Sequence, residues 1–236
     1  RVLGTLWAEL GHQVFFGARD PAKAQAAVQL CQRNGCGHRA QYGSNQDAGA
    51  FGEIVYFNPR DVSPRELLTN PAVLDDKVVV ESHNGPLPEP FVASALLRSR
   101  SEILQDQLPR AKVVKAFNTM AQEVFELCPQ RIRPAAVSVF VASDHDDAKA
   151  LVSTLAREMG FVPVDCGSLI GARQLESLGD FTPTRGNAIA LLDDYDDSIA
   201  RLVADIDGAS EVMTVRLKDL SGATLFTQQL EPRRPG

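Results

Sequence analysis

The chain has 236 residues, of which 44% are hydrophobic and 23% charged, a composition typical of a globular protein with a full core. Its formal net charge of -6 excludes the basic surface that nucleic-acid binding requires, and no apolar run approaches the ~20 residues that span a bilayer. Four scattered cysteines without a disulfide pattern favour a reducing, cytoplasmic setting.

The chain opens with a predicted helix, a glycine stop and a strand. Leu3, Leu6 and Leu10 recur at helical spacing and give one apolar face. Gly11 stands where a helix end needs a left-handed residue, and residues 13–16 form a short apolar strand. This order is typical of a dinucleotide-binding βαβ unit from which the first strand and its Gly-rich turn have been removed.

Arg19 follows that strand at the position which meets the adenosine ribose in such units. An acid there accepts from a 2′-hydroxyl, whereas an arginine can bind a 2′-phosphate through two hydrogen bonds. Arg19 therefore favours NADP over NAD, and Lys23 is expected to add a second positive charge on the same helical face. The alternative is a solvated pair of Arg19 and Asp20 at a helix start.

Strands and helices then alternate along the chain. Strands are predicted at 38–42, 53–57, 77–82, 112–118, 137–142 and 161–165, and helices at 21–33, 45–50, 64–68, 92–108, 119–127, 144–159 and 169–178. Nearly continuous Val, Ile and Phe strands separated by helices predict an α/β fold, in which a doubly wound, Rossmann-like parallel sheet forms the middle of three layers. We assign this domain to residues 1–180.

Residues 181–236 are expected to form a short C-terminal extension. Residues 199–206 are predicted to be helical. The stretches 211–218 and 223–229 alternate between apolar and polar side chains around a turn at 219–222, which predicts a hairpin.

Ligands of doubly wound sheets bind beyond the carboxyl ends of the strands. Four clusters follow predicted strand ends and are expected to converge on one edge of the sheet: Ala18-Arg19, Asn58-Pro59, His83-Asn84 and Ala116-Phe117-Asn118-Thr119.

Several segments together are similar to the F-420-dependent NADP oxidoreductases and their relatives, which include the cytosolic domain of the membrane metalloreductases. The most specific of them is the strand end Val-Lys-Ala-Phe-Asn-Thr at 114–119. The other segments are 11–14 leading to 17–21, 77–80 leading to 84–87, and 161–167 leading to 172–176. The resemblance extends from residue 1 to about residue 178, and in the family the Gly-rich loop would precede Arg1.

The resemblance implies a Rossmann-fold oxidoreductase that passes hydride between NADPH and a small redox ligand, either the deazaflavin F-420 or a flavin. It places Arg19 and Lys23 at the 2′-phosphate, with Ala18 where the family often has a hydroxyl. It also implies cofactor contacts at the following strand ends, with the last three residues beside the nicotinamide: Asn58, Pro59, Asn84, Ala116, Phe117 and Asn118.

Hydride transfer needs stacking and positioning more than acid–base machinery, and the sequence contains no Ser/His/Asp set, His-Glu-x-x-His motif or Tyr-x-x-x-Lys pair. We therefore assign no catalytic residue, and only a hydride-transfer environment of Asn118, Phe117 and His83. His83 is the one candidate acid near the site, since histidines titrate near neutrality. The alternative is a loop histidine with no catalytic role.

Strand alternation would place Lys115 and Phe117 on one face, and Ala116 and Asn118 on the other. Lys115 could then anchor an anionic substrate or pack its stem under a helix. Asn118 could bond to the nicotinamide amide or cap the following helix.

No metal site is predicted. Cys31, Cys36 and His38 lack a fourth ligand and the tighter spacing of a zinc site. The acidic run 193–197 lacks the glycine and the distal glutamate of a calcium loop.

Two other readings stay open. An imine reductase resembling pyrroline-5-carboxylate reductase would normally have a longer helical domain for dimerisation, and a homodimer is an open expectation for this chain too. The second alternative is a non-catalytic, truncated Rossmann fragment that acts through a protein partner. It is considered because the missing strand would be central in the sheet, and its loss would leave unpaired strand edges.

Overall fold

The computed structural model describes residues 1–59, 62–84, 98–120, 124–125, 129–184, 201–207, 212–218 and 224–230. Ten strands lie in this part of the chain: β1 Val14–Gly17, β2 Ala40–Gly43, β3 Ile54–Phe57, β4 Val78–Glu81, β5 Lys112–Lys115, β6 Ser138–Val141, β7 Val162–Asp165, β8 Arg201–Asp207, β9 Val212–Lys218 and β10 Thr224–Leu230. Parallel pairs join β1 to β2, β3 to β4, β4 to β5, and β6 to β7.

The middle strand β4 shows why the sheet must be covered on both faces. All four of its residues are buried, and successive side chains point to opposite sides. Val78 and Val80 pack in one apolar cluster with Leu6 and Val152, whereas Val79 packs in another cluster with Leu104. A strand that is buried on both faces needs an unbroken apolar run, so the predicted α/β, doubly wound architecture is confirmed.

Eight helices are described: α1 Val2–Glu9, α2 Pro21–Arg33, α3 Asn45–Phe51, α4 Pro64–Leu67, α5 Arg100–Gln107, α6 Pro129–Ala135, α7 Asp146–Glu158 and α8 Ala172–Thr184. Short 3₁₀ turns lie at Gly37–Arg39, Pro71–Leu74 and Leu169–Gly171. The helices predicted over 92–108 and 119–127 fall partly outside the described residues.

The helix ends follow the local signals. Gly11 has a φ of 110° directly after α1, and Gly35 has a φ of 78° after α2. Ser44 caps α3 through a reciprocal bond with Asp47. Helix α7 begins at Asp146, two residues later than the predicted start at 144, and Ser143 ahead of it donates to the Val113 carbonyl.

The C-terminal residues contain one further correction. From residue 201 onward, the helix predicted at 199–206 is strand β8, in which apolar residues at 202, 203, 204 and 206 fit either a helix or a strand. The predicted hairpin is present, since β9 pairs antiparallel with β10, and β8 pairs antiparallel with the other edge of β9.

Strands β1 and β3 each keep one unpaired edge. Strand β1 pairs only with β2, and β3 pairs only with β4, within the described ranges. The C-terminal strands form a sheet of their own and fill neither edge. Both open edges line one groove, and its carboxyl end carries residues of the candidate site.

Candidate functional site

A groove of about 770 Å³ runs between β1 and β3. Residues of both strands line it, from Gln13 and Glu53 at their starts to Arg19 and Pro59 beyond their carboxyl ends, and we call it the edge groove. Of the predicted cofactor residues, Arg19, Asn58 and Pro59 line the edge groove, whereas Ala18 and Lys23 do not.

Arg19 and Lys23 do not share a helical face, which corrects the sequence-based expectation. Asp20 is the N-cap of α2 and accepts a hydrogen bond from the Ala22 amide at 3.0 Å. Arg19 therefore precedes the helix, while Lys23 lies exposed in its first turn. Spacing of i and i+4 brings side chains together only when both residues are helical.

A smaller cavity of about 320 Å³ lies beyond the ends of β3 and β4. It shares Phe57 and Pro59 with the edge groove, and His83 and Glu81 contribute to its wall, so we call it the His83 cavity. Helices α4 and α5 complete the wall with Ser63, Glu66, Arg100, Ile103, Leu104 and Gln107.

The predicted residues Asn84 and Asn118 meet beside the carboxyl ends of β4 and β5. The Asn118 Nδ2 donates to Asn84 Oδ1 at 2.7 Å and to the Leu175 carbonyl of α8 at 2.7 Å. The Asn84 Nδ2 donates in return to the Asn118 carbonyl. The Asn118 Oδ1 is buried and has no hydrogen-bond partner, which leaves an unsatisfied acceptor at this site.

Phe117 departs from strand geometry. Strand β5 ends at Lys115, and Phe117 has a φ of 64°, a left-handed value that is rare for a bulky residue. Its ring packs edge-on against Trp7 and Phe125, with centroid distances of 6.3 and 6.1 Å. The predicted alternation is therefore wrong, because the turn carries Phe117 to the opposite face from Lys115.

The Lys115 side chain is turned inward, where its ammonium group meets carboxylates of the protein itself. It is fully buried, and its Nζ donates to Glu81 Oε2 at 2.7 Å, to Glu176 Oε1 at 3.0 Å and to the His83 carbonyl at 2.6 Å. These three bonds use all three ammonium donors. Sequence reasoning missed both carboxylates, although β4 and β5 are apolar strands that each end on a charged residue, and Glu81 pairs in register with Lys115.

The two glutamates of this cluster titrate in opposite directions. Burial alone would raise the pKa of Glu81, but the Lys115 charge and the hydrogen bonds from His83, Lys115 and Ser101 lower it to about 2. Burial raises the pKa of Glu176, the Glu81 charge adds to that effect, and Lys115 only partly offsets it. The cluster therefore combines an ionised glutamate with one that tends to keep its proton.

Helix α8 is held against these strand ends by close contacts. The Glu176 carboxylate accepts from the Arg100 amide, and Arg173 forms two bonds with Glu102, at 2.8 and 2.6 Å. Gly179 touches Asn84 so closely that a Cβ there would overlap the Asn84 side chain. Nothing in the sequence alone indicated that Gly179 belongs to this site.

Comparison with known proteins relates the chain to reductases. A protein described as F420-dependent NADP reductase from Methanothermobacter marburgensis is 28% identical over 185 residues, which cover 71% of this chain and 79% of that protein. A structure from Arthrobacter sp. FB24, provisionally described as an F420-dependent NADP reductase, superposes with a TM-score of 0.63 at 26% identity, over 80% of this chain and 89% of that one. The chain is a homologue of the F420-dependent NADP reductases.

The homologues also include membrane metalloreductases. Rat metalloreductase STEAP3 is 28% identical over 178 residues, or 75% of this chain and 34% of that protein. Human STEAP2 is 35% identical over 80 residues, or 34% of this chain and 16% of that protein. The chain thus spans about a third or less of these metalloreductases, and no helix in its described part is long and apolar enough to cross a membrane. No protein-family model matches the chain.

Proposed function

We propose that the chain is an NADP-dependent oxidoreductase that transfers hydride between NADPH and a second, small redox ligand. The observation that carries this proposal is the similarity to the M. marburgensis reductase, which extends over most of both chains. A Rossmann-like sheet whose polar strand ends open on the edge groove agrees with it.

Arg19 is the residue we propose for the 2′-phosphate. It is exposed at the carboxyl end of β1, lines the edge groove, and forms no ion pair within the described residues. A planar guanidinium that is not engaged elsewhere can bind a phosphate through two parallel hydrogen bonds. Asn58 and Pro59 form the facing wall and would line the bound nucleotide.

The surroundings of Asn118 Oδ1 bear on whether a nicotinamide fits beside the carboxyl ends of β4 and β5. A buried acceptor without a partner costs about 1–3 kcal/mol, and the amide group of a nicotinamide is a donor that could satisfy it. The residues therefore fit the cofactor. When bound, the nicotinamide supplies the hydride; Asn118 and Asn84 orient its amide, and Ala116 and Phe117 exclude water at the strand end.

The second ligand is proposed to be the deazaflavin F-420, with a flavin as the alternative. The support is the description of the M. marburgensis homologue as F420-dependent. Imine reductases from Pseudomonas sp. and Bacillus cereus share the fold at 16% and 19% identity, with a TM-score of 0.51 in each case, so they do not favour imine reduction over this assignment.

Titrating the protein with NADPH and with NADH tests the cofactor. We expect NADPH to bind more tightly, and Arg19→Ala to weaken NADPH by roughly ten- to a hundredfold while leaving NADH unchanged, because one charge-assisted phosphate contact is lost. Lys23→Ala is the matched control, since Lys23 is exposed and lies outside the edge groove. Equal affinities, or an Arg19→Ala variant that binds NADPH as wild type does, would contradict the proposal.

A further inference from the structure

The His83 cavity touches a buried group of ionisable side chains that hydride transfer alone does not need. Glu81, Lys115 and Glu176 have side-chain exposures of 4%, 0% and 9%. They come from β4, β5 and α8, so three separate elements deliver them to one point. Burying charges is costly unless they balance, and two carboxylates with one ammonium leave an excess negative charge unless one proton is added.

His83 connects this group to the cavity. Its ring Nδ1 lies 3.5 Å from Glu81 Oε1, and its backbone amide donates to the same oxygen at 2.5 Å. Its carbonyl accepts from Lys115, and its side chain, which is 14% exposed, contributes to the cavity wall. An imidazole can carry a proton at neutral pH, so His83 is placed to exchange one between the buried group and whatever fills the cavity.

We infer that His83 is the proton donor of the reaction, that the His83 cavity holds the hydride acceptor, and that Glu81, Lys115 and Glu176 position the histidine. This rests on the proposed function. It narrows the acceptor to compounds with a conjugated C=N group, which take hydride at carbon and a proton at nitrogen. A metal ion or haem, which accepts electrons alone, would have no use for the proton.

Atoms and electrons are conserved in the proposed hydride and proton transfers. Hydride from NADPH bonds to the electrophilic carbon of the acceptor, and the displaced π electrons move to its nitrogen, which takes the proton of the His83 imidazolium. The products are the reduced acceptor, NADP⁺ and neutral His83. Solvent that enters the cavity then returns a proton to His83, and the nearby Glu81 carboxylate stabilises the imidazolium.

The charge of Glu81 favours the recharged histidine. Its carboxylate lies 3.5 Å from the His83 ring, and its pKa is lowered to about 2, so it remains ionised and favours the imidazolium. Among the described residues, the other charged side chains around His83 are Lys115, which Glu176 also contacts, and Glu66 and Arg100 on the cavity wall.

Nuclear magnetic resonance of the histidine rings tests the coupling without any substrate. In Glu81→Gln the His83 ring should titrate at lower pH than in wild type, because the variant lacks the carboxylate that lies 3.5 Å from the ring Nδ1. The exposed His38 serves as the internal control. A His83 titration that Glu81→Gln leaves in place would overturn the inference.

Kinetics separate this inference from the proposed function. The probes are oxidised F-420 and the cyclic imine 2-methyl-1-pyrroline, with NADPH as donor. His83→Gln should keep its affinity for NADPH and lose roughly a hundredfold or more in turnover with whichever probe wild type reduces, as expected for a lost general acid, and His38→Gln should lose nothing. Failure of wild type to bind NADPH would refute the proposed function, whereas binding with undiminished turnover in His83→Gln would refute only the proton donor.

Discussion

At the scale of single residues, the absence of one side chain shapes the site. Gly179 lies on α8 directly against the Asn84 amide, at a point where a Cβ has no room. A glycine in the middle of a helix costs about 1 kcal/mol relative to alanine, so intrinsic helix propensity alone would favour replacing it. Close packing against Asn84 is a physical reason for the glycine.

Gly179→Ala should therefore destabilise the protein despite its better helix propensity. The added methyl group would push Asn84 away from Asn118, at a cost of about 1–3 kcal/mol for overpacking. Thermal melting and NADPH titration measure the two effects. Ser177→Ala on the same helix is the control, because the Ser177 hydroxyl donates within the helix, to the Arg173 carbonyl one turn earlier. A Gly179→Ala variant with wild-type melting and affinity would show that Asn84 can move freely.

Lys115 is the second residue whose replacement has a predictable cost. Lys115→Met keeps the bulk of the side chain but leaves Glu81 and Glu176 buried without their cation, which should lower the free energy of unfolding by about 3–5 kcal/mol. Urea denaturation measures this. Adding Glu81→Gln should recover part of the loss by removing the unpaired charge. Lys23→Met, at an exposed position, should change little; a similarly small effect for Lys115→Met would contradict a buried ion pair.

At the scale of elements, α8 holds the carboxyl end of β5 and the helix α5 in place. Its Leu175 carbonyl accepts from the Asn118 amide and its Glu176 accepts from the Lys115 ammonium, while its Arg173 donates two bonds to Glu102 of α5. These contacts join three elements that are far apart in the sequence. Changes in α8 should therefore affect the candidate site, although no described residue of the helix lines either cavity.

The pH dependence of stability follows from the two glutamates that α8 and β4 bring together. The raised pKa of Glu176 means that, from 4.5 up to that raised value, the folded protein holds a proton that the unfolded chain has released. The free energy of unfolding should therefore fall as pH rises through this window. The pKa of Glu81 is lowered to about 2, so its contribution is present above 4.5 and is lost as pH falls from 4.5 through 2.

Glu176→Gln should abolish the decline on the alkaline side of this profile and leave the acid side in place. Urea denaturation of both proteins across a pH series checks this expectation. Wild-type and variant curves that remain parallel above pH 4.5 would mean that Glu176 ionises normally in the folded protein.

At the scale of the whole molecule, the sequence predicted those features that depend on local pattern. The apolar run of β4 predicts a buried parallel strand, and Gly11 and Gly35 mark helix ends where the structure has positive φ. A helix was wrongly predicted at β8 because the stretch is short. Its apolar residues at 202, 203, 204 and 206 fit the period of a helix as well as that of a strand.

The site was less predictable because it depends on contacts between distant elements. Polar residues at strand ends could be selected from position alone, as Arg19 and His83 show. The positive φ of Phe117 places its ring on the face opposite to the one predicted. No local sequence pattern predicts that a phenylalanine adopts the left-handed backbone conformation. Glu176 reaches Lys115 from 61 residues away, so only the folded chain reveals the pair.

The open edges of β1 and β3 have a consequence for the exchange of amide hydrogens with solvent. Amides of a strand point alternately to its two sides, so a strand with a single neighbour protects only every second one. Strand β4, which has neighbours on both sides, should show unbroken protection, whereas β1 and β3 should show a protected amide followed by a fast one. Deuterium exchange of the individual amides measures this pattern, and uniform protection along β1 or β3 would contradict it.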